Sequence, residues 1–92
     1  MGNSLGRTRH WVSSPAYRVV VDALVKARHE AGLSQQVVAG RLHKPASYVA
    51  KIELGERRLD LVEFVALARA IGVDESRLFA GVLKAFPAKL DV

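Results

Sequence analysis

The 92-residue sequence contains no cysteine. That excludes a disulfide framework and thiolate metal sites, and it is compatible with a reducing cytoplasm. Its three histidines, His10, His29 and His43, lack any ligand spacing, so neither a metal nor a cofactor is expected. No apolar run approaches the roughly 18–20 residues of a membrane span, and the N-terminus lacks the apolar core of a signal peptide. Met1-Gly2 opens like a myristoylation signal, but Gly6 stands where Ser or Thr is required. The expectation is a soluble, cytoplasmic protein without a membrane partner. No nucleophile, base and oxyanion donor fall into a cleft-forming pattern, so an enzyme is not expected.

What is present is half apolar residues, with a quarter charged, and the mean hydropathy is +0.12. A chain of this length builds one core and folds as one domain. The net charge of +5 is uneven: residues 1–13 carry +2, residues 14–40 carry +1, residues 41–58 carry +3 and residues 59–92 carry −1. A basic balance alone describes a solvated surface as well as a nucleic-acid binder, and its clustering over 41–58 favours the second.

The expected division is a flexible arm over residues 1–13, a helical domain over 14–86 and a tail over 87–92. The arm holds Gly, Asn and Ser with Arg7 and Arg9 and has no hydrophobic period. Ser14-Pro15 is an N-cap followed by a first-turn proline, and Tyr17, Val20, Val21, Leu24 and Ala31 recur at helical intervals, predicting a helix from Pro15 to Ala31 closed by Gly32. Ser34 caps a second helix over about Gln35 to Leu42. Pro45 opens a third that Gly55 ends. Asp60 and Glu63 have capping-box spacing ahead of a fourth, which Gly72 stops, and Asp74 caps a fifth that ends near Pro87. No alternating strand pattern appears. The predicted fold is all-α with five helices.

Leu33 to Arg58, LSQQVVAGRLHKPASYVAKIELGERR, joins two short helices through a turn too tight for an ordinary antiparallel hairpin. That is helix-turn-helix geometry, with the motif over residues 34–54. In such a motif the first helix crosses the phosphate backbone and the second lays its N-terminal residues in the major groove. Ala46, Ser47, Ala50 and Lys51 share one side of helix three, and Val49 and Ile52 the core side.

Leu33-Ser34-Gln35, Ala39, Leu42, Ser47-Tyr48-Val49, Lys51-Ile52-Glu53, Gly55 and Arg57-Arg58 stand in one register, followed by a helix ending Ala-Ile-Gly-Val. Over about residues 16–73 the chain resembles the Xre, or Cro/cI-type, helix-turn-helix regulators. The resemblance implies a lambda-repressor-like DNA-binding domain and a transcriptional regulator, by expectation a repressor, with a recognition helix over about 45–54. It implies that Gln35 hydrogen-bonds a phosphate, with Gln36 beside it in the same contact surface, and that Lys44, Arg57 and Arg58 hold the backbone electrostatically. Ala46, Ser47 and Lys51 occupy positions where the family reads bases, Ala46 against a thymine methyl and Lys51 toward guanine O6 or N7. Tyr48 either donates its hydroxyl to a phosphate or supports the helix as a half-buried aromatic. Arg28 and Glu53 match a structural ion pair joining helices one and three.

The chain also departs from the family pattern. His43 stands where the turn usually has Gly, Lys44 where a capping Ser or Thr is common, and Leu54 where a polar residue is common. A module of this size reads few base pairs, so the expected partner is a pseudo-palindromic double-stranded operator bound by a homodimer. Leu78, Phe79, Val82, Leu83 and Phe86 of helix five offer the dimer interface, unless all pack within one chain. Arg7, Arg9 and His10 of the arm either enter a minor groove or form a disordered tail. The competing reading is an antitoxin or adaptor whose main partner is another protein.

Overall fold

The computed structural model describes residue 11 and residues 13–90. Its five helices are α1 (Pro15–Glu30), α2 (Gln35–Arg41), α3 (Ala46–Leu54), α4 (Leu61–Ile71) and α5 (Glu75–Ala85), with no strand among the described residues. None is long and apolar enough to cross a membrane.

Each helix start has a local cause. The Ser14 hydroxyl accepts from the Tyr17 amide at 3.3 Å, and the Ser34 hydroxyl from the Val37 amide at 3.1 Å. Asp60 and Glu63 close a reciprocal capping box, the Glu63 amide donating to Asp60 Oδ1 at 2.7 Å and the Asp60 amide to Glu63 Oε1 at 3.0 Å. Asp74 accepts from the amides of Ser76 and Arg77. These caps satisfy backbone donors that have no partner within their helix.

The α3 start is different from the expectation. Pro45 is the N-cap rather than the first helical residue, with ψ at 155°, and it makes no side-chain cap bond. Its fixed φ of −69° suits either position, and the extended ψ excludes it from the helix. Lys44 therefore stands one place before the cap, not at it. The α2–α3 turn is a Schellman turn: the Lys44 amide donates to the Ala39 carbonyl at 2.9 Å and the His43 amide to that of Gly40 at 3.0 Å. His43 is the left-handed residue this turn requires, at φ 57°. Small differences at helix ends are also present: α1 stops at Glu30, α2 at Arg41 and α5 at Ala85.

The core lies where α1, α2, α3, α4 and α5 converge. Leu24 and Ala27 from α1, Val38 and Ala39 from α2, Val49 and Ile52 from α3, Phe64 and Leu67 from α4 and Val82 from α5 share one buried cluster. At about 25 cal/mol per Å² of apolar surface removed from water, such a cluster supplies the main driving force for folding. Polar ties add direction to it. Arg41 Nη1 donates to the Ala70 carbonyl at 2.8 Å, fastening α2 to the end of α4. The Leu59 amide donates to the Tyr17 hydroxyl at 3.0 Å, fastening the α3–α4 loop to α1.

Val82 is 1% exposed and belongs to this core, so it offers no surface to a second copy, contrary to its place in the expected interface. Leu78 and Phe86 are half-buried against the same cluster. Phe79 and Leu83 remain outside, 41% and 54% exposed. Trp11, at the end of the expected arm, meets the Tyr17 ring edge-on with centroids 5.0 Å apart. Arg7, Arg9 and His10 lie outside the described residues.

Candidate nucleic-acid interface

The α3 helix has two faces because its residues repeat every 3.6 positions. Val49 and Ile52 are buried, 3% and 2% exposed, and anchor one side. Ala46, Ser47 and Lys51 are exposed on the other, with Ala50 half-buried between them. Two alanines and a serine leave that face flat, and Lys51 gives it one cation. Leu54, 67% exposed, ends the helix.

A desolvated fork holds α3 against α1. Arg28 Nε donates to Glu53 Oε2 at 2.7 Å and Arg28 Nη2 to Glu53 Oε1 at 2.8 Å, a two-bond guanidinium–carboxylate pair. The side chains are only 10% and 14% exposed. Arg28 Nη1 also donates to the Leu33 carbonyl at 2.9 Å, tying in the loop before α2. Burial by itself would raise the Glu53 carboxyl. Hydrogen bonds from Arg28 and Gln35, with the charges of Arg28 and His29, outweigh it and hold the group below its usual value. The same bond with Glu53 lifts the Arg28 guanidinium above its ordinary value, against the effect of burial.

Gln35 is drawn into this fork. Its Nε2 donates to Glu53 Oε1 at 2.7 Å, so the side chain expected to reach a phosphate is half-buried and bridges α2 to α3. Gln36, the next residue, is exposed.

Tyr48 on the first turn of α3 is half-buried, and its hydroxyl donates to Glu63 Oε2 at 2.8 Å. Of the two roles open to it in sequence, this geometry is that of a supporting aromatic, since the hydroxyl proton is already committed. Burial first, then the bond to Glu63, push the phenol above its ordinary pKa, with Arg57 opposing. Lys44 Nζ lies 5.4 Å and the Arg57 guanidinium 5.0 Å from the Tyr48 ring centre. Arg57 Nη2 also pairs with Glu63 Oε2. Arg58 lies over the rings of Trp11 and Tyr17, at 5.4 and 5.7 Å.

The geometry therefore brings Lys44, Tyr48 and Arg57 together beside the start of α3, with Lys51 on the open face and Arg58 against α1. Glu63, read in sequence only as half of a capping box, is the residue that joins this group. No periodic rule links a helix-four carboxylate to a helix-three tyrosine, so the sequence pattern carries no signal for this partner. The Arg18 guanidinium, also not singled out, reaches the Glu53 carbonyl at 3.3 Å near the end of α3.

The helix-turn-helix domain family matches residues 20–79 of the chain. Among solved structures, it is similar to an XRE-family like protein from Pseudomonas syringae pv. tomato str. DC3000, with 40% sequence identity and a TM-score of 0.73 over 78% of this chain and 88% of that one. No curated protein matches it. The order of five helices and the placement of α2 and α3 are those of an all-α, lambda-repressor-like fold. With a family match over most of its length and a relative of this identity and coverage, the chain belongs to the helix-turn-helix domain family in its Xre form, a family of DNA-binding regulators.

Proposed function

We propose that the protein binds double-stranded DNA sequence-specifically as a transcriptional repressor, with α3 in the major groove. The observation that carries this reading is the exposed, nearly flat face of Ala46, Ser47 and Lys51, opposite a buried anchor of Val49 and Ile52. Small side chains let the backbone of a helix approach base edges, and a lone lysine on such a face reaches guanine O6 or N7. Lys44, Arg57 and Arg58 flank the helix where phosphates pass, and Gln36 lies at the start of α2 for the same purpose. Gln35 acts chiefly through Glu53, by keeping α2 and α3 in register.

The proposed active form is a homodimer on a pseudo-palindromic site with half-sites about 34–36 Å apart. Phe79 and Leu83 on α5 are the residues that pack across its axis, because they are the large apolar side chains of that helix left exposed.

The test is a fluorescence-anisotropy titration against duplex from the protein's own upstream region and against random duplex, at several salt concentrations. Binding that prefers the upstream duplex and is lowered by Lys51→Ala supports the reading. Equal, weak binding to both duplexes would replace it with that of an antitoxin or adaptor whose main partner is a protein. Gln35→Ala is a poor probe here, since it also removes a hydrogen bond from Glu53.

A further inference from the structure

Glu63 makes more bonds than its place in a helix cap requires. Its Oε1 accepts the Asp60 amide and completes the capping box. Its Oε2 takes no part in that box. That oxygen accepts from the Tyr48 hydroxyl at 2.8 Å and from Arg57 Nη2. The Glu63 side chain is 19% exposed and that of Arg57 45%, so the carboxylate is largely sheltered while the guanidinium keeps an open side. Arg57 and Lys44 both lie close to the Tyr48 ring. One carboxylate at the start of α4 thus gathers an aromatic from the first turn of α3 and a half-exposed cation beside that helix.

To an arginine, a carboxylate and a phosphate offer the same thing, anionic oxygens matched to the planar N–H fork. The two anions compete for Arg57. We propose that Glu63 is a positioning residue for DNA binding, holding Arg57 and Tyr48 beside the start of α3 and occupying the guanidinium until a backbone phosphate displaces it. The proposal rests on the DNA-binding reading above. Contact of Arg57 with a phosphate is then an exchange of one anion for another, and it adds little affinity on DNA that the recognition face does not fit. Restraint of this kind favours specific over random sites, because only a seated duplex holds a phosphate in place long enough to win the exchange.

The test uses the full chain and random-sequence duplex, titrated by anisotropy between 0.05 and 0.2 M salt (concentrations of about these values span the range where phosphate contacts change affinity strongly). Glu63→Gln keeps a residue type that closes a capping box but removes the charge. If Arg57 is released, Glu63→Gln tightens random binding by roughly five- to tenfold near 0.1 M salt and steepens the log–log salt slope by about 0.9, the value for one added phosphate contact. Arg57→Ala weakens binding to the upstream duplex and takes less than one full contact from the salt slope on random duplex, and the double variant returns to the level of Arg57→Ala. An equal gain from Glu63→Gln with and without Arg57 overturns the proposal, because the carboxylate would then act by its own charge. No gain overturns it as well. Should Glu63→Gln fail to fold, Arg57→Ala still decides: loss of a full contact from the salt slope means Arg57 was never held back. A wild-type chain that binds no duplex at all instead removes the DNA-binding reading, and this proposal with it.

Discussion

Arg28 and Glu53 face each other through two parallel hydrogen bonds, 2.7 and 2.8 Å long, in a position almost closed to water. The bond network around them reaches α1, α2, α3 and the loop at Leu33. A pair in this setting is weak evidence for net stability, because desolvating two ions offsets most of their attraction. Breaking it is another matter. Arg28→Ala leaves the Glu53 carboxylate buried with Gln35 as its remaining side-chain donor, and the expected loss is about 3–5 kcal/mol. Against a total of about 5–15 kcal/mol for an ordinary domain, urea unfolding should show a large fall in midpoint. Arg28→Met combined with Glu53→Leu should recover more than half of the loss. If the double variant is as unstable as Arg28→Ala, the pair itself contributes net stability.

The same pair sets an acid limit on the fold. The Glu53 carboxyl is lowered in the folded chain from an ordinary value of 4.5. A lowered carboxylate stabilises fully above its unfolded pKa, and that contribution is lost as pH falls through the folded value. The difference in stability between wild type and Glu53→Gln should therefore be constant from pH 7 to about 5 and shrink below 4.5. Urea midpoints at stepped pH measure it. A difference that stays constant down to pH 3, or about there, would show that Glu53 does not titrate with this linkage.

His43 supplies a prediction of opposite sign. It holds φ at 57°, a region that costs an ordinary L-residue about 1–2 kcal/mol. Glycine removes that strain but loses about 0.5–1 kcal/mol of backbone entropy. His43→Gly should be stabilising by about 0.5–1 kcal/mol, raising Tm by several degrees in a domain of this size. DNA binding should be unchanged, because the Schellman turn bonds are made by backbone groups. His43→Val should lower Tm, since a β-branched residue tolerates this region poorly. Calorimetry on the two variants decides, and a lower Tm for His43→Gly would mean that the histidine side chain contributes more than it strains.

These three positions also mark what was legible in the sequence. Helix starts followed from Ser14, Ser34, Asp60 and Asp74, because an N-cap is chemistry between residues two or three apart. The two faces of α3 followed from its period for the same local reason. The sequence pattern starts α3 one position early, at Pro45, because its fixed φ suits both N-cap and first turn, and the choice between them is made by ψ. Partners drawn from different elements were largely hidden. Tyr48 and Glu63 are separated by 15 positions and Gln35 and Glu53 by 18, and neither interval carries a local signature. Arg28 with Glu53 was found only through the family resemblance. From sequence Gln35 reads as a phosphate contact and Tyr48 as either a phosphate contact or a supporting aromatic, whereas packing commits both side chains to carboxylates.

The homodimer reading turns on Leu83. Within one chain Val82 fills the core at 1% exposure, and Phe79 keeps some packing because its ring lies edge-on to that of Phe64, with centroids 6.0 Å apart. Leu83 is 54% exposed and absent from the core cluster. Leu83→Asp should therefore leave the monomer's stability within about 0.5 kcal/mol, the ordinary range for a surface change. Placed at a two-fold axis, however, the same substitution brings two copies of the carboxylate together in an apolar contact, where desolvation and like charge both oppose association. Sedimentation equilibrium should show weaker self-association. Anisotropy should show a large loss of affinity for a two-half-site operator and almost none for a single half-site, because α3 is untouched. Phe79→Asp is the less clean probe, since losing the contact with Phe64 would lower monomer stability as well. Unchanged self-association in Leu83→Asp would move the dimer axis away from α5, and unchanged operator affinity alongside it would leave α3 acting as a monomeric reader.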